Sequence, residues 1–435
     1  MSQRRRLIPF LEGLDTAVVG CAGDIMLDRF VYGSVNRISP EAPIPVLHVD
    51  AEQSMLGGLG NVVRNLGALD CGIRLFSITG EDPAGAEVKA LVENVPRCEA
   101  YLLTEASRRT PVKVRYIAHG QQLLRADHET TELAGREIFE SLLTHFKAHV
   151  AECSIVFLSD YAKGMLQGSH AQAFIRIART AGKPVVVDPK GQGFERYRFA
   201  TVIKPNLKEL AEATGLPIGD AAAQELAARK LLDLAEAQFI LVTRGPAGML
   251  LVPRDEPRAE FCSLAREVYD VSGAGDTVAA VLAAALGSGA GIREAVELAN
   301  IAAGIVVGRV GTAVVSRSEI IDEIEHESAI AASGKILRPA QTIERVRAWR
   351  RMGRRVGFTH GSFDPLSSEH LESLERERSR CDRLVVGLTT RNGAGPEDRH
   401  AQAFLLASLV NVDAVVICDS QTPEELMEML GESER

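Results

Sequence analysis

The sequence predicts an α/β protein with one large domain built on a parallel sheet and a second, smaller α/β domain behind it. From residue 155 onward, short apolar segments alternate with helical segments, a pattern typical of a parallel sheet covered by helices on both faces. Earlier β-rich segments stand outside that alternation and predict a lid or an edge sheet. After residue 341 a second strand-and-helix pattern begins.

The predicted strands are short and rich in Val, Ile and Leu. They fall at 16–21, 30–32, 44–49 and 112–118, and then, within the alternating part, at 155–159, 185–188, 202–204 and 239–243. The segments at 30–32 and 44–49 are separated by two proline breakers. Helices are predicted at 171–181, from about Asn206, and at 277–286 and 294–307, where Ala, Val and Gly favour close packing on the sheet.

A segment of small residues divides the chain. Residues 331–339 carry Ala, Ser and Gly and end in Pro339, a composition typical of a linker. We therefore expect a first domain over 1–328, a linker over 329–340 and a second domain over 341–435. A basic helix at 342–355 and a strand at 356–359 open that second domain.

Composition narrows the class of protein. The 435 residues are 46% hydrophobic and 25% charged, which is typical of a globular protein with more than one domain. A net charge of −9 gives no support to a nucleic-acid partner. The basic first residues are followed by no apolar h-region, so we expect no signal peptide, and no apolar stretch reaches the ~20 residues that a membrane helix needs. Seven scattered cysteines without a Cys-x-x-Cys argue against disulfides or zinc and favour a cytoplasmic location.

The strongest local motif is Asp270-Val-Ser-Gly-Ala-Gly-Asp-Thr277, directly before an apolar helix. Glycines at a helix start let backbone amides approach an anion, and the helix dipole favours negative charge there. Gly273, Ala274 and Gly275 would form that anion hole, and Asp276 at its mouth could take a proton from a hydroxyl while the amides hold a phosphoryl group. The alternative is a Gly-rich turn with Asp276 as a helix cap.

Three weaker motifs occur elsewhere. Gly57-Gly58-x-x-Asn61 offers flexible backbone and a carboxamide for sugar hydroxyls, although Gly-Gly alone is usually a turn. Asn206-x-x-Glu209 places an amide and a carboxylate one helical turn apart, suited either to hydrated Mg²⁺ or to a capping box. Thr243-x-Gly245-x-x-Gly248 follows a buried strand and is similar to a nucleotide-contacting turn.

These four motifs, in this order, resemble the signature of the ribokinase-like (PfkB) carbohydrate kinases over about residues 15–316. The resemblance implies a ribokinase-like α/β sandwich of eight or more strands with a β lid over the sugar, often contributing to a homodimer. It implies ATP and Mg²⁺ as cofactors, K⁺ at a monovalent-cation position, and Asp276 as the general base beside the amides of residues 273–275.

The same resemblance assigns the remaining positions. Asn206 and Glu209 would position Mg²⁺–ATP, the magnesium being held through water. Thr243, Gly245, Gly248 and Asn300 would lie near the nucleotide. Asp270 and Ser272 match a monovalent-cation site, and Asp28, Gly57, Gly58 and Asn61 match sugar-contacting positions.

Longer stretches resemble one branch, the heptose-7-phosphate kinases. They are Gly23–Arg29, Arg37–Val46, Gln121–Arg125, Leu158–Gly164 and Val187–Lys190. That resemblance implies phosphorylation of D-glycero-β-D-manno-heptose 7-phosphate at O1, on the ADP-heptose route to the lipopolysaccharide core. It adds Arg125, Asp160, Lys163 and Lys190 to the expected substrate-binding residues.

An acceptor that already carries a phosphate needs cations. Six candidates lie in or near the matching stretches: Arg37, Lys113, Arg115, Arg125, Lys163 and Lys190. We expect at least two of them to converge on the 7-phosphate. The alternative for any one of them is a solvated surface charge.

The second domain resembles the nucleotidyltransferase half of bifunctional heptose kinase/adenylyltransferases, a Rossmann-like α/β fold, through Arg354–Asp364, Asp382–Val386 and Val412–Val416 with Thr422-Pro423. The family's His-x-Gly-His element reads Ser367-Ser-Glu369-His370 here, a family Arg falls at Gln402, and the Ser-Thr-Lys loop is absent from 389–393. The family's closing segment would lie beyond Arg435. These departures fall on the catalytic parts while the strand and helix pattern survives, so we expect a degenerate domain without adenylyltransferase activity. Glu369 in particular places like charge where triphosphate oxygens would approach.

Two other functions remain open at this level. One is a kinase of the same fold that acts on another sugar or sugar phosphate. The other is a non-catalytic scaffold, against which the intact Gly273–Asp276 motif speaks.

Overall fold

The computed structural model describes residues 3–265, 269–309, 311–389 and 396–418. The chain divides into two compact units: residues 9–320, which we call the kinase unit, and residues 1–8 with 321–435, which we call the C-terminal unit.

The described part of the kinase unit contains a nine-stranded sheet and a separate four-stranded sheet. The strands are β1 (Val18–Gly23), β2 (Ile25–Ile38), β3 (Pro45–Gly58), β4 (Gly72–Gly80), β5 (Cys98–Glu105), β6 (Val112–Ala118), β7 (Gln121–His128), β8 (Ile155–Ser159), β9 (Val185–Asp188), β10 (Val202–Ile203), β11 (Phe239–Thr243), β12 (Met249–Pro253) and β13 (Ala259–Phe261). The large sheet has the order β13-β12-β11-β10-β9-β8-β1-β4-β5. Its strands run parallel from β5 to β11, and β12 and β13 add an antiparallel edge.

Helices cover both faces of the large sheet. The helices as far as residue 333 are α1 (Ile8–Glu12), α2 (Leu59–Ala68), α3 (Pro83–Glu93), α4 (Arg136–His149), α5 (His170–Thr180), α6 (Leu207–Thr214), α7 (Ala221–Ala235), α8 (Ala274–Gly287), α9 (Ile292–Val306) and α10 (Arg317–Ser333). Among them α2, α4, α5, α7 and α8 contact strands of the large sheet. One core packs aromatic side chains of α4 and α5, among them Phe146 and Phe174, against the sheet. Helix α8 buries an Ala-rich surface, because small side chains let backbones approach closely. The predicted α/β architecture is confirmed.

The four-stranded sheet, which we call the lid, has the order β3-β2-β6-β7. Strand β1 passes into β2 through Asp24 alone, and β3 returns the chain to α2 at Gly58. The sequence indicated only the middle of β2 and the first part of β3, whereas each strand has 14 residues. Much of both strands is polar and exposed, so the apolar signal covered only part of their length.

The C-terminal unit contains a four-stranded parallel sheet of order β14-β17-β16-β15. Its strands are β14 (Ile336–Leu337), β15 (Val356–Gly361), β16 (Arg383–Thr389) and β17 (Ala414–Cys418), and the helices are α11 (Pro339–Arg351), α12 (Ser368–Ser379) and α13 (Pro396–Ala407). The segment expected as a linker, 329–340, carries the end of α10, strand β14 and the start of α11. Ile336 and Leu337 join the sheet because they pair with Val415 and Val416.

In the part of the chain that the structure describes, no helix combines the length and the apolar character needed to cross a bilayer.

Candidate active site

Two motifs that lie far apart in the sequence meet at one carboxylate. The Asn61 Nδ2 donates a hydrogen bond of 2.8 Å to Asp276 Oδ2, which joins the Gly57–Asn61 motif on α2 to the Gly273–Asp276 motif on α8. Both side chains are buried, Asp276 at 9% exposure and Asn61 at 1%. The structure therefore brings together the expected base and an expected sugar-contacting residue.

The second oxygen of Asp276 is held by a residue that the sequence did not assign. The Tyr161 hydroxyl donates a hydrogen bond of 2.7 Å to Asp276 Oδ1. Burial raises the pKa of Asp276 above its ordinary value, while the hydrogen bonds from Asn61 and Tyr161 and the charge of Lys204 oppose that rise. Since a higher pKa makes a carboxylate a stronger base, the site favours proton acceptance.

The start of α8 leaves backbone donors available to a ligand. Gly273 is the N-cap residue, has a φ of +79° and makes no side-chain capping bond. A side chain here would be strained, and its Cβ would lie 2.9 Å from Asn61 Nδ2. Within the described residues, the amides of Gly273 and Gly275 donate to no protein acceptor. Such a helix start can bind a phosphoryl group.

A buried lysine supports this anion site. The Lys204 ammonium, on a side chain with 5% exposure, lies 2.9 Å from Asp188 Oδ1. A Cβ placed on Gly275 would be 4.0 Å from Lys204 Nζ. Burial lowers the pKa of Lys204, but Asp188 outweighs this effect and the net shift is upward. The lysine therefore stays charged beside the anion hole. Its position directly before Pro205-Asn206 was the signal that the sequence interpretation missed.

The expected nucleotide-contacting residues share one cavity of about 240 Å³. Thr243, Gly245, Gly248 and Asn300 line it together with Ala274 and Gly275 at the start of α8. Other walls are apolar and include Met249, Val271 and Val307. A mostly apolar cavity that ends at an anion-binding helix start has the character of a site for a planar base with attached phosphates.

Asn206 and Glu209 form a capping box at the start of α6. Asn206 Oδ1 accepts from the Glu209 amide at 2.9 Å, and Glu209 Oε2 accepts from the Asn206 amide at 3.0 Å. Glu209 Oε1 accepts from Lys190 Nζ at 2.8 Å. Each carboxylate oxygen keeps a second lone pair, so the donor set fits a metal bound through water. No group of three or more metal-binding side chains occurs among the described residues.

The expected sugar-contacting residues lie under the lid. Asp28 on β2 accepts a hydrogen bond of 2.8 Å from Arg115 Nη1 on β6. A side chain at Gly57 would collide with the Asp28 carboxylate, which explains the glycine. Gly58 has a φ of +56° where the chain turns into α2. Asp28 and Asp276 interact electrostatically, so the acceptor pocket and the base are close together.

Asp24 fixes the loop that carries Tyr161. Its carboxylate accepts from the amides of Tyr161 at 2.8 Å, Lys163 at 3.0 Å and Met165 at 3.1 Å. Burial, and then the charge of Asp160, raises the pKa of Asp24 to about 6 against these hydrogen bonds. Asp24 and Tyr161 both lie inside stretches that resemble the heptose-7-phosphate kinases, but nothing in the sequence around them predicts their roles.

Several expected substrate ligands are occupied by partners within the chain. Asp160 is fully buried and accepts from Tyr197 Oη at 2.7 Å, so the structure does not bring its carboxylate into the acceptor pocket. The other pairs are Arg125 with Asp127, Lys163 with Glu129, and Lys190 with Glu209.

Asp270 and Ser272 lie in the loop before α8. Asp270 Oδ1 accepts from the Ser272 amide at 2.8 Å, and Oδ2 accepts from the Gly311 amide at 3.1 Å. Burial tends to raise the pKa of Asp270, but these hydrogen bonds outweigh it and hold the pKa below its ordinary value. The ionised carboxylate fits the expected monovalent-cation position.

In the C-terminal unit, the Ser367–His370 element forms a self-capped helix start. Ser367 Oγ accepts from the His370 amide at 3.4 Å, and the Ser367 amide donates to His370 Nδ1 at 3.1 Å. Glu369 is exposed in the first turn of α12. Gln402 lies partly buried on α13, while residues 390–393 and Thr422-Pro423 fall outside the described residues.

The sequence of this chain is similar to a known family and to curated proteins. Residues 17–319 match the family model described as pfkB family carbohydrate kinase. The chain is 45% identical to the bifunctional protein HldE of Paramagnetospirillum magneticum over 98% of its own length and 89% of that protein. It is 46% identical to HldE of Rhodospirillum rubrum over 98% of its length and 87% of that protein.

Solved structures with the same fold share less sequence. Arabidopsis thaliana ribokinase complexed with ribose and ATP is 20% identical, with a TM-score of 0.57 over 71% of this chain and 98% of that one. Escherichia coli phosphofructokinase-2 in complex with potassium is 21% identical, with a TM-score of 0.59 over the same shares.

Proposed function

The chain belongs to the pfkB family of carbohydrate kinases and to the family of bifunctional HldE proteins, and from that premise we propose that it transfers the γ-phosphoryl group of ATP to O1 of D-glycero-β-D-manno-heptose 7-phosphate. The product is the 1,7-bisphosphate, on the ADP-heptose route to lipopolysaccharide. The observation that carries the proposal is the buried Asp276 carboxylate, held by Asn61 at the start of α8 where amide donors are available.

Asp276 takes the proton from the acceptor hydroxyl as the phosphoryl group arrives. Asn61 and Tyr161 hold the two carboxylate oxygens, so a free lone pair of Asp276 stays directed at the acceptor. The Gly273 and Gly275 amides and the Lys204 ammonium stabilise the charge on the transferring group. Because these groups are fixed before the substrates bind, little reorganisation is needed during the transfer.

Asn206 and Glu209 are the residues that would hold the hydrated Mg²⁺ beside ATP. The bound ion would neutralise charge on the β- and γ-phosphates. Asp188, whose pKa burial raises to about 6 although Lys204 opposes the shift, interacts electrostatically with both Asp276 and Glu209. Asp270 and Ser272, in the loop that leads into α8, would hold K⁺.

We propose that the C-terminal unit has lost adenylyltransferase activity. The Ser367 side chain occupies one amide of the first turn of α12, and the exposed Glu369 carboxylate would repel triphosphate oxygens. Incubation of the chain with heptose 1-phosphate and ATP should therefore give no ADP-heptose by mass spectrometry. Formation of ADP-heptose at a catalytic rate would contradict this.

We propose a homodimer that works in the cytoplasm and uses the lid as its interface. The lid and the connection that leads into β3 expose apolar side chains that a second copy would cover: Tyr32, Ile38, Ile44, Val49, Leu123 and Leu124. Light scattering after size exclusion should give twice the chain mass. Substitution of Leu124 and Ile44 by Ser should reduce it to the mass of one chain.

The reaction is tested by incubating the chain with ATP and heptose 7-phosphate and assigning the modified oxygen by ³¹P and ¹³C NMR. We expect phosphorus coupling at C1 and release of ADP. A panel of phosphorylated and unphosphorylated hexoses and heptoses separates this acceptor from other sugars. Absence of ATP consumption with every sugar would leave the scaffold alternative.

A further inference from the structure

The cations around the acceptor pocket fall into two classes, those paired with a carboxylate of the chain and those without such a partner. Arg115 is bound to Asp28, Arg125 to Asp127, and Lys163 to Glu129. Lys190 is bound to Glu209. Arg37 is exposed nine residues from Asp28 along β2, about 30 Å away at the rise of an extended strand.

We propose that Arg64 and Lys113 form the subsite for the phosphate group that the acceptor already carries, and that they determine the preference for a phosphorylated sugar. This inference rests on the proposed function and names the residues that select its acceptor. Arg64 lies outside every motif that the sequence singled out.

Arg64 projects from α2 one turn after Asn61. Its Nη1 makes only long contacts with neutral acceptors, 3.4 Å to Asn61 Oδ1, 3.5 Å to the Thr312 carbonyl and 3.6 Å to Met55 Sδ. Burial lowers the pKa of Arg64, and the charge of Asp28 opposes that shift. Within the described residues no carboxylate forms an ion pair with this guanidinium, so it retains donors and charge for an anion.

Lys113 lies on the other side of the pocket. Its ammonium lies 5.2 Å from the centre of the Tyr161 ring, the ring whose hydroxyl holds Asp276. Burial lowers the pKa of Lys113, and Asp28 again opposes the shift. No ion pair to this lysine occurs in the part of the chain that the structure describes.

The strand register of the lid explains why Arg64 and Lys113 both lie near Asp28. Lys113 on β6 and Met55 on β3 are both register partners of Asp28 on β2, so the three side chains share one face of the sheet. Because β2 lies between their strands, the Cα atoms of Lys113 and Met55 are about 10 Å apart, which is two strand spacings. Arg64 reaches Met55 from α2. The two cations therefore lie on opposite sides of Asp28, and each contacts one of the two residues that hold Asp276.

A phosphate in this subsite would receive charge-assisted hydrogen bonds without breaking an internal ion pair. Binding at Arg115, Arg125, Lys163 or Lys190 would instead compete with a carboxylate already in place. Both side chains are partly buried, and the cost of partly desolvating an unpaired guanidinium and ammonium would be offset when the anion arrives, because a partner stabilises a charge that is shielded from water. An acceptor without a phosphate would leave that cost uncompensated.

The test compares Arg64→Met and Lys113→Met with the wild-type chain on the same heptose with and without its 7-phosphate. Methionine keeps an apolar stem and removes the charge. Arg29→Met is the matched control, because Arg29 is the neighbour of Asp28 on the opposite face of β2 and pairs with Glu87. If the unphosphorylated sugar turns over too slowly for kinetics, isothermal titration calorimetry measures the dissociation constants of both sugars, and these are compared instead.

We expect each variant to lose at least about 10-fold in kcat/KM, or in affinity, for the phosphorylated acceptor, the size of one charge-assisted contact. The value for the unphosphorylated sugar should stay within about 3-fold, and Arg29→Met should match the wild type on both. Equal losses on both sugars, or a preference retained in both variants, would overturn the subsite. A wild-type chain without preference for the phosphorylated sugar would instead contradict the proposed function.

Discussion

Helices α8 and α12 both begin directly after a loop, and both need partners for their first backbone amides. At α8 the N-cap is Gly273, which has no side chain to offer, and the amides of Gly273 and Gly275 remain available to a ligand. At α12 the N-cap is Ser367, whose hydroxyl occupies the His370 amide while the His370 ring accepts from the Ser367 amide.

The difference shows that a helix start binds an anion only when the protein leaves its amides unoccupied. In α8 the first-turn carboxylate, Asp276, is buried and held by two donors of the kinase unit. In α12 the first-turn carboxylate, Glu369, is exposed and is itself the negative charge that interacts with the positive end of the helix dipole. The same secondary structure therefore forms a candidate catalytic site in one unit and an ordinary helix start in the other.

Asp276→Asn should have the largest effect. The amide cannot take the acceptor proton, so we expect kcat to fall at least about 10²-fold, the lower end for loss of a general base. A coupled assay of ADP release measures it. Asp70→Asn, a change at an exposed residue of the same unit, is the control. Near-normal turnover of Asp276→Asn would remove the base from the mechanism and with it the contrast with α12.

Lys204→Met should have the next largest effect. Loss of one buried ammonium beside the α8 amides should lower kcat/KM by about 10- to 100-fold, the range for a charge-assisted contact. Lys208→Met, on an exposed side chain of α6, is the matched control. Because Asp188 would lose its partner, circular dichroism must first show that the variant is folded. A folded variant with wild-type kinetics would exclude Lys204 from the anion site.

Much of the fold could be predicted because local and global signals agree. The strands at 155–159, 185–188 and 239–243 were predicted to the residue, since buried parallel strands are short apolar segments bounded by polar ones. The lid was harder to delimit. Polar and apolar residues do not alternate along strand β7, and almost all of its residues are exposed. Hydrophobic periodicity therefore gave no signal for this strand.

Most of the candidate site residues could be predicted because they stand inside a motif. The structure joins Asp276 to Asn61 and places Thr243, Gly245 and Gly248 around one cavity. Asn300 lines the same cavity but was expected only from the family resemblance. Tyr161 follows strand β8 and Lys204 follows strand β10, and both reach Asp276 only through the tertiary fold. Lys204 stands directly before Pro205-Asn206, a position that could have drawn attention to it, whereas no local pattern marks Tyr161. Asp160 illustrates the opposite case, because its carboxylate is engaged by Tyr197 and Arg196 in the interior.

Tyr161→Phe should shift the pH dependence more than the rate. The Tyr161 hydroxyl stabilises ionised Asp276, so its removal should raise the pKa of Asp276 further. A base with a raised pKa is protonated up to a higher pH, and the acid limb of the kcat/KM profile should therefore move upward. Well above that limb, kcat/KM should fall by less than about 10-fold, the net value of one hydrogen bond.

Tyr101→Phe provides the control for this profile. Its hydroxyl also donates to a carboxylate, that of Glu99, but on edge strand β5 of the large sheet. We expect an unchanged acid limb for this variant. An unchanged limb for Tyr161→Phe, or a downward shift, would show that the tyrosine does not control the ionisation of Asp276.

Ser367→Ala should have the smallest effect, and it tests the other side of the comparison. If the hydroxyl serves only to cap α12, its loss should lower the unfolding free energy of the C-terminal unit by about 1 kcal/mol, as for other N-caps. Hydrogen exchange of the first turn of α12 should become faster, while kinase kcat and KM stay unchanged. Ser379→Ala, at the other end of the same helix, removes a hydroxyl that bonds only the Arg376 carbonyl and should leave that exchange unchanged. Loss of kinase activity in Ser367→Ala would show that the serine contributes more than a cap, because capping one helix of the C-terminal unit gives no reason for the Asp276 site to change.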